Sequence, residues 1–142
     1  MVDKALLLRK MAELEEYLAQ IKEFTNLRIE QYSDDWKTQR IVERTLQMMI
    51  EICVDTASHI ISDEGYRVPK SYADTFRVLY ENEIIEKDLF KRMEKMAKFR
   101  NIVVHDYARI DPGIVIGILR NNLKDLRYFG KEVLQYMEIL DS

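Results

Sequence analysis

Met48-Met49-Ile50-Glu51-Ile52-Cys53-Val54 is apolar at every position but Glu51. At 100° per residue such a run points in all directions around a helix, so a helix carrying it must be covered on more than one face. Its flanks extend the pattern. Ile41, Val42, Leu46, Met49, Ile50, Cys53, Ala57 and Ile60 recur at three- and four-residue steps, which predicts a helix from about Asp35 to Ile61 with these residues buried. Ser33 or Asp34 is placed to cap it, and Ser62-Asp63-Glu64-Gly65 ends it. The covering helices come either from the same chain or from a second copy.

The rest of the chain supplies partners. Leu7, Met11, Leu14, Leu18, Ile21 and Phe24 predict a first helix over about residues 3 to 29. After Pro69-Lys70-Ser71 a short helix, Tyr72 to Glu81, carries Ala73, Phe76 and Leu79, and Asn82-Glu83 breaks the pattern. Leu89, Phe90, Met93, Met96 and Ala97 mark a fourth helix, about Glu86 to Val103. Asp111 followed by Pro112 reads as an N-cap and first helical residue, because proline lacks the donor that is orphaned there anyway. That fifth helix runs to about Leu140. Gly117 and Gly130 inside it each cost roughly 1 kcal/mol relative to alanine, and close packing on another helix is the expected reason for them. The fold class is all-α: an antiparallel up-and-down bundle of about five helices in one domain spanning 1–142.

Composition agrees with this class. Four glycines and two prolines in 142 residues leave no linker and no turn-rich β pattern. A single cysteine, Cys53, excludes an internal disulfide and points to a reducing compartment. The start Met1-Val2-Asp3-Lys4 has no signal-peptide character, and no apolar run approaches the ~20 residues that span a bilayer, so the expectation is a cytoplasmic protein without membrane attachment. Two histidines and one cysteine at unrelated positions give no zinc spacing, and there is neither a calcium loop nor a phosphate-binding glycine motif. No metal and no cofactor are expected.

Chemistry concentrates near the end of the fourth helix. Lys91, Arg92, Lys95, Lys98 and Arg100 face Glu94 as the lone acid over that decade, although the chain as a whole carries a net charge of −3. This stretch either steers a phosphate backbone or is simply a solvated helix face. It leads into Arg100-Asn101-Ile102-Val103-Val104-His105-Asp106-Tyr107. Histidine can take a proton near neutrality, and arginine offers a fork of donors suited to phosphate oxygens. On a regular helix Asn101 and His105 share a face, so Asn101 can orient the imidazole. Arg100 and His105 diverge by about 140° and converge only if the helix unwinds near Val104 or a second copy brings its own residues. On the central helix Arg44, Gln47, Glu51, Asp55 and Ser58 form a polar stripe. Glu51, between two isoleucines, calls for a cationic partner, with Arg100 and His105 as candidates; otherwise the stripe is a solvated seam. His59 reads as structural. Without further information, Arg100 as a helix cap and His105 as a hydrogen-bonded structural histidine remain open.

An Arg, four residues, His, one residue and Tyr, after a lysine-rich helix and before Ile110-Asp111-Pro112, resembles the signature of the HEPN fold, in particular its short HepT-type toxins. The resemblance covers nearly the whole chain and finds Arg100, Asn101, His105 and Tyr107 all in place. It implies a homodimer with two motifs facing a shared cleft, and a metal-independent endoribonuclease. In that mechanism His105 removes the 2′-hydroxyl proton, Arg100 stabilises the phosphate, and a 2′,3′-cyclic phosphate forms. It further implies a nucleotidyltransferase antitoxin that adenylylates Tyr107. Asn101 would be a supporting residue; from the polar stripe of the central helix, Glu51 and, after it, Asp55 are the further supporting candidates. Two other readings stay open: a helical dimer that binds nucleotide or RNA without cutting, and a docking partner for a nucleotidyltransferase.

Overall fold

The computed structural model describes residues 2–141, and helices dominate it with no strand among them. Its axis is α3 (Trp36–Glu64), the helix centred on Met48–Val54. Asp35, one residue beyond the expected cap, starts it: its carboxylate accepts from the Thr38 hydroxyl at 2.8 Å and from the Thr38 and Lys37 amides. Those bonds hold the Asp35 carboxyl below the usual carboxylate range. Gly65 ends the helix at φ 72°, where a side chain would be strained, and returns its N–H to the Ile61 and Ser62 carbonyls.

α1 (Lys4–Ile21), α2 (Ile29–Ser33), α4 (Tyr72–Glu81), α5 (Lys87–His105), α6 (Pro112–Gly117) and α7 (Leu123–Asp141) surround it in an up-and-down bundle. Met49, Ile50, Ile52, Cys53 and Val54 are all buried by α1, α4, α5 and α7 of the same chain. The cover demanded by the apolar run is therefore intramolecular. Burial pushes the Cys53 thiol well above its ordinary range, as expected for a cysteine that packs as a small apolar residue. Phe76 of α4 meets Phe129 of α7 edge to face at 5.5 Å, which closes the core.

Four expectations are corrected. The first helix stops at Ile21; a 3₁₀ turn at Lys22–Phe24 leads to α2, whose first turn is tied by the Gln31 side chain accepting from the Arg28 amide at 2.9 Å. Phe24 and Leu27 remain half-buried, so the apolar rhythm continued across a break it did not report. Ile41 is not buried but 51% exposed. The last helix is interrupted: Ile118–Asn122 forms a π-helical segment between α6 and α7. Gly117 has no heavy atom within 4 Å of where a Cβ would sit, and at Gly130 the nearest is Leu14 Cδ2 at 3.5 Å, an ordinary contact. Neither glycine is needed for close approach.

α2 is fixed to α3 by a buried pair that the sequence patterning did not indicate. The Tyr32 hydroxyl donates to Glu43 Oε2 at 2.6 Å, and Arg40 donates to the other oxygen at 3.1 Å. Burial and the adjacent carboxylate push the Tyr32 phenol far above its ordinary range. No helix of the described residues is long and apolar enough to cross a membrane.

Candidate active site

α5 and α3 cross so that Arg100 reaches Glu51. Arg100 Nη2 and Nε both donate to Glu51 Oε1, at 2.7 and 3.0 Å, and Nη1 donates to Asn101 Oδ1 at 3.3 Å. The guanidinium lies 4.4 Å from the ring centroid of Tyr72, the first residue of α4. Carboxylate on one edge and aromatic face beneath fix both the direction and the plane of the fork. A guanidinium has five N–H donors; with three committed, one remains on each Nη. Such uncommitted donors are what phosphate oxygens accept from.

The carboxylate is held in turn. Gln47 Nε2 donates to the same Glu51 Oε1 at 3.3 Å. One turn further along α3, Asp55 accepts from Lys10 of α1 at 2.8 Å, which raises the Lys10 pKa, and His59 Nε2 stands 4.0 Å from its other oxygen. Arg44, Met48, Glu51, Asp55 and Tyr72 line one open groove between α3 and its neighbours. Asp55 thus shares a surface with Glu51 but does not touch Arg100, Asn101 or His105.

α5 stays helical through His105, with the Asp106 amide returning to the Ile102 carbonyl at 2.9 Å. The helix does not unwind at Val104. Arg100 and His105 therefore remain about 140° apart around the axis, and one chain does not bring them together. Asn101 bonds to Arg100 rather than orienting the imidazole, as its spacing had suggested. Among the described residues the His105 side chain makes no hydrogen bond, and it is exposed at the helix end. Tyr107 follows in a 3₁₀ turn, Tyr107–Arg109, and is 68% exposed, its phenol accessible beside His105. Arg109 pairs with Asp106 at 3.4 Å and does not cover it.

Tyr72 is the site residue that spacing missed. It lies 28 positions before Arg100 at the start of a different helix, and only the α4–α5 crossing brings the ring under the guanidinium.

The family pattern described as "Ribonuclease HepT-like" matches residues 14–133. The chain belongs to this family. The mRNA nuclease HepT of Shewanella oneidensis is 34% identical over 99 residues, covering 70% of this chain and 74% of that protein. The tRNA nuclease HepT of Aphanizomenon flos-aquae is 28% identical over 128 residues, covering 89% and 86%. Among solved structures, a toxin–antitoxin crystallised with AMP-PNP superposes with a TM-score of 0.86 at 27% identity, covering 93% of this chain and 99% of the other. The tri-AMPylated Shewanella oneidensis HEPN toxin in complex with its MNT antitoxin superposes at 0.85 and 29% identity, covering 95% and 99%. The fold is thus that of HEPN toxins.

Proposed function

We propose that this HepT-like protein is the ribonuclease toxin of a toxin–antitoxin pair, a metal-independent endonuclease that uses Arg100 and His105. The observation that carries the reading is the Arg100 clamp: Glu51 and Tyr72 fix a guanidinium that keeps one uncommitted donor on each Nη. His105, exposed and without a side-chain partner, withdraws the proton of a ribose 2′-hydroxyl. The 2′-oxygen attacks the adjacent phosphorus, Arg100 takes up the charge gathering on the equatorial oxygens, and the P–O5′ bond breaks. The departing 5′-oxygen takes a proton from solvent. The products are a 2′,3′-cyclic phosphate and a 5′-hydroxyl.

The unbroken helix supports a homodimeric site, since two copies set face to face let Arg100 of one meet His105 of the other across a shared cleft. Asn101 contributes by holding Nη1 of Arg100, and Asp55 by anchoring Lys10 on the groove wall. Exposure of Tyr107 supports adenylylation by a nucleotidyltransferase antitoxin; added phosphates beside Arg100 and His105 would exclude RNA by volume and charge.

The test is induced expression of wild type, Arg100→Ala and His105→Ala, each checked for folding by circular dichroism, with mapping of cellular RNA ends. Growth arrest and cyclic-phosphate ends from wild type alone, with cutting by the purified protein undiminished in excess EDTA, are the expected results. Arrest by all three proteins, or none with intact RNA, overturns the assignment.

A further inference from the structure

We propose that the face of α5 leading to His105 is the RNA-backbone track of the enzyme, with Lys91, Lys95 and Lys98 as its phosphate contacts. The inference rests on the ribonuclease reading and adds where the strand lies. Lys91, Lys95, Lys98, Ile102 and His105 follow one another at steps of four, three, four and three. On an unbroken helix they fall within roughly 80° of arc, a row about 21 Å long that ends at the imidazole. Arg100 stands on the opposite side of the same helix from Lys91. The row therefore belongs to the half of the site that supplies the base.

Three further observations point the same way. First, the charge is uncancelled. Lys91, Lys95 and Lys98 are exposed, Lys91 rests over the Phe90 ring, and none pairs with a carboxylate of the described residues. The acids nearby are occupied: Arg92 takes Asp88 at 3.1 Å and the buried Asp125 at 3.0 Å, and Asn122 donates to the other Asp125 oxygen. Second, a groove runs beside Lys91 and Lys95, lined also by Phe99, Ile114, Ile118 and Asn122 and by the Arg92 cluster with Asp88 and Asp125. Gly117 borders it and leaves it open. Third, part of its lining comes from the π-helical segment Ile118–Asn122, a costly departure from regular helix of the kind that clusters at functional sites. A single strand fits this arrangement: phosphates along the ammonium groups, bases against isoleucine side chains and the Asn122 amide.

The experiment measures cleavage of a mixed-sequence single-stranded RNA pool, and anisotropy of a labelled oligoribonucleotide, for full-length wild type and the triple Lys→Gln variant. Triple Lys→Arg and Lys131→Gln, an exposed residue of α7 outside the groove, serve as controls. The glutamine variant is expected to raise KM about tenfold with much less change in kcat, and to flatten the salt dependence of log K by about 2, at ~0.7 per phosphate contact on a single strand. Lys→Arg should restore both, and Lys131→Gln should match wild type. Unchanged KM and salt slope with RNA still cut would overturn the track and leave the nuclease reading intact. Binding without cutting, weakened by the glutamines, would overturn the nuclease reading and keep the track. A wild type that neither cuts nor binds RNA overturns both. If the glutamines instead weaken only association with a nucleotidyltransferase partner, the face is a protein-docking surface and the proposal fails.

Discussion

Arg100 and Glu51 are 49 residues apart in sequence and joined by two hydrogen bonds to a single carboxylate oxygen, at 2.7 and 3.0 Å. The pair lies at a crossing of α5 with α3, with Arg100 14% and Glu51 32% exposed. In a part-buried pair desolvation offsets much of the attraction, so its net contribution to folding is on the order of 1 kcal/mol. Its importance is directional, because it fixes the plane of the guanidinium and decides which of its donors are spent.

Glu51→Gln should therefore lower RNA cleavage about tenfold or more while moving unfolding free energy by less than about 1 kcal/mol. Cleavage rates set beside denaturant midpoints check this. A loss of stability that matches the loss of activity would count against a positioning role.

Tyr72→Phe keeps an aromatic face under Arg100 and should cut RNA nearly as wild type does. Tyr72→Leu removes the cation–π contact, worth about 0.5–2 kcal/mol, and should slow cleavage roughly 2- to 30-fold. Equal rates for the two variants would show that the ring does not hold the guanidinium.

Folding stability should depend on acid through the cluster that ties Arg67 to both ends of α4. Arg67 pairs bidentately with Asp74 at 2.8 and 2.9 Å and with Glu81 at 2.7 Å, and these bonds hold both carboxyls below their ordinary range. A depressed native pKa adds stability that is fully present above the unfolded value, near 4, and is lost as pH falls through the native value. Wild type should thus lose stability progressively below about pH 4. Asp74→Asn should be less stable at neutral pH and show a flatter acid limb, as read by denaturant unfolding at a series of pH values.

Gly130→Ala places a methyl at ordinary contact distance from Leu14 and Met11 within regular α7. Stability should rise by about 0.5–1 kcal/mol, through reduced freedom of the unfolded chain and better helix propensity. A thermal shift in the opposite direction would mean that Leu14 cannot yield.

Tyr107, on its exposed turn, should gain mass in AMP increments when incubated with a nucleotidyltransferase partner and ATP. Tyr107→Phe should gain none and should remain toxic when that partner is co-expressed. Intact-mass spectra and growth curves report the two outcomes.

Much of the bundle was legible because its helices announce their own ends. Ser71 accepts from the Asp74 amide and Asp111 from the Gly113 amide, and both are residues whose side chains cap wherever they stand. Glu83 adopts φ 63° where the apolar rhythm breaks. Features set by crossings stayed hidden. The Tyr32–Glu43 bond, the ring of Tyr72 and the widened turn at Ile118–Asn122 depend on which helices meet, and no local spacing encodes that. Glu51 was conspicuous as a carboxylate among isoleucines, but the choice between Arg100 and His105 as its neighbour needed the third dimension. Asn101 illustrates the converse: correct spacing for His105, yet its amide oxygen is taken by the nearer guanidinium.

The straightness of α5 through His105 has a consequence for dosage. If each centre draws Arg100 from one copy and His105 from another, active enzyme grows with the square of chain concentration as long as most copies are single. A cell could then carry a low basal level of free chains with little damage, and a modest rise in their number would produce a disproportionate rise in cut RNA. Chains altered at both residues would poison normal ones by pairing with them, whereas mixing an Arg100 variant with a His105 variant would rebuild one working centre in every mixed pair.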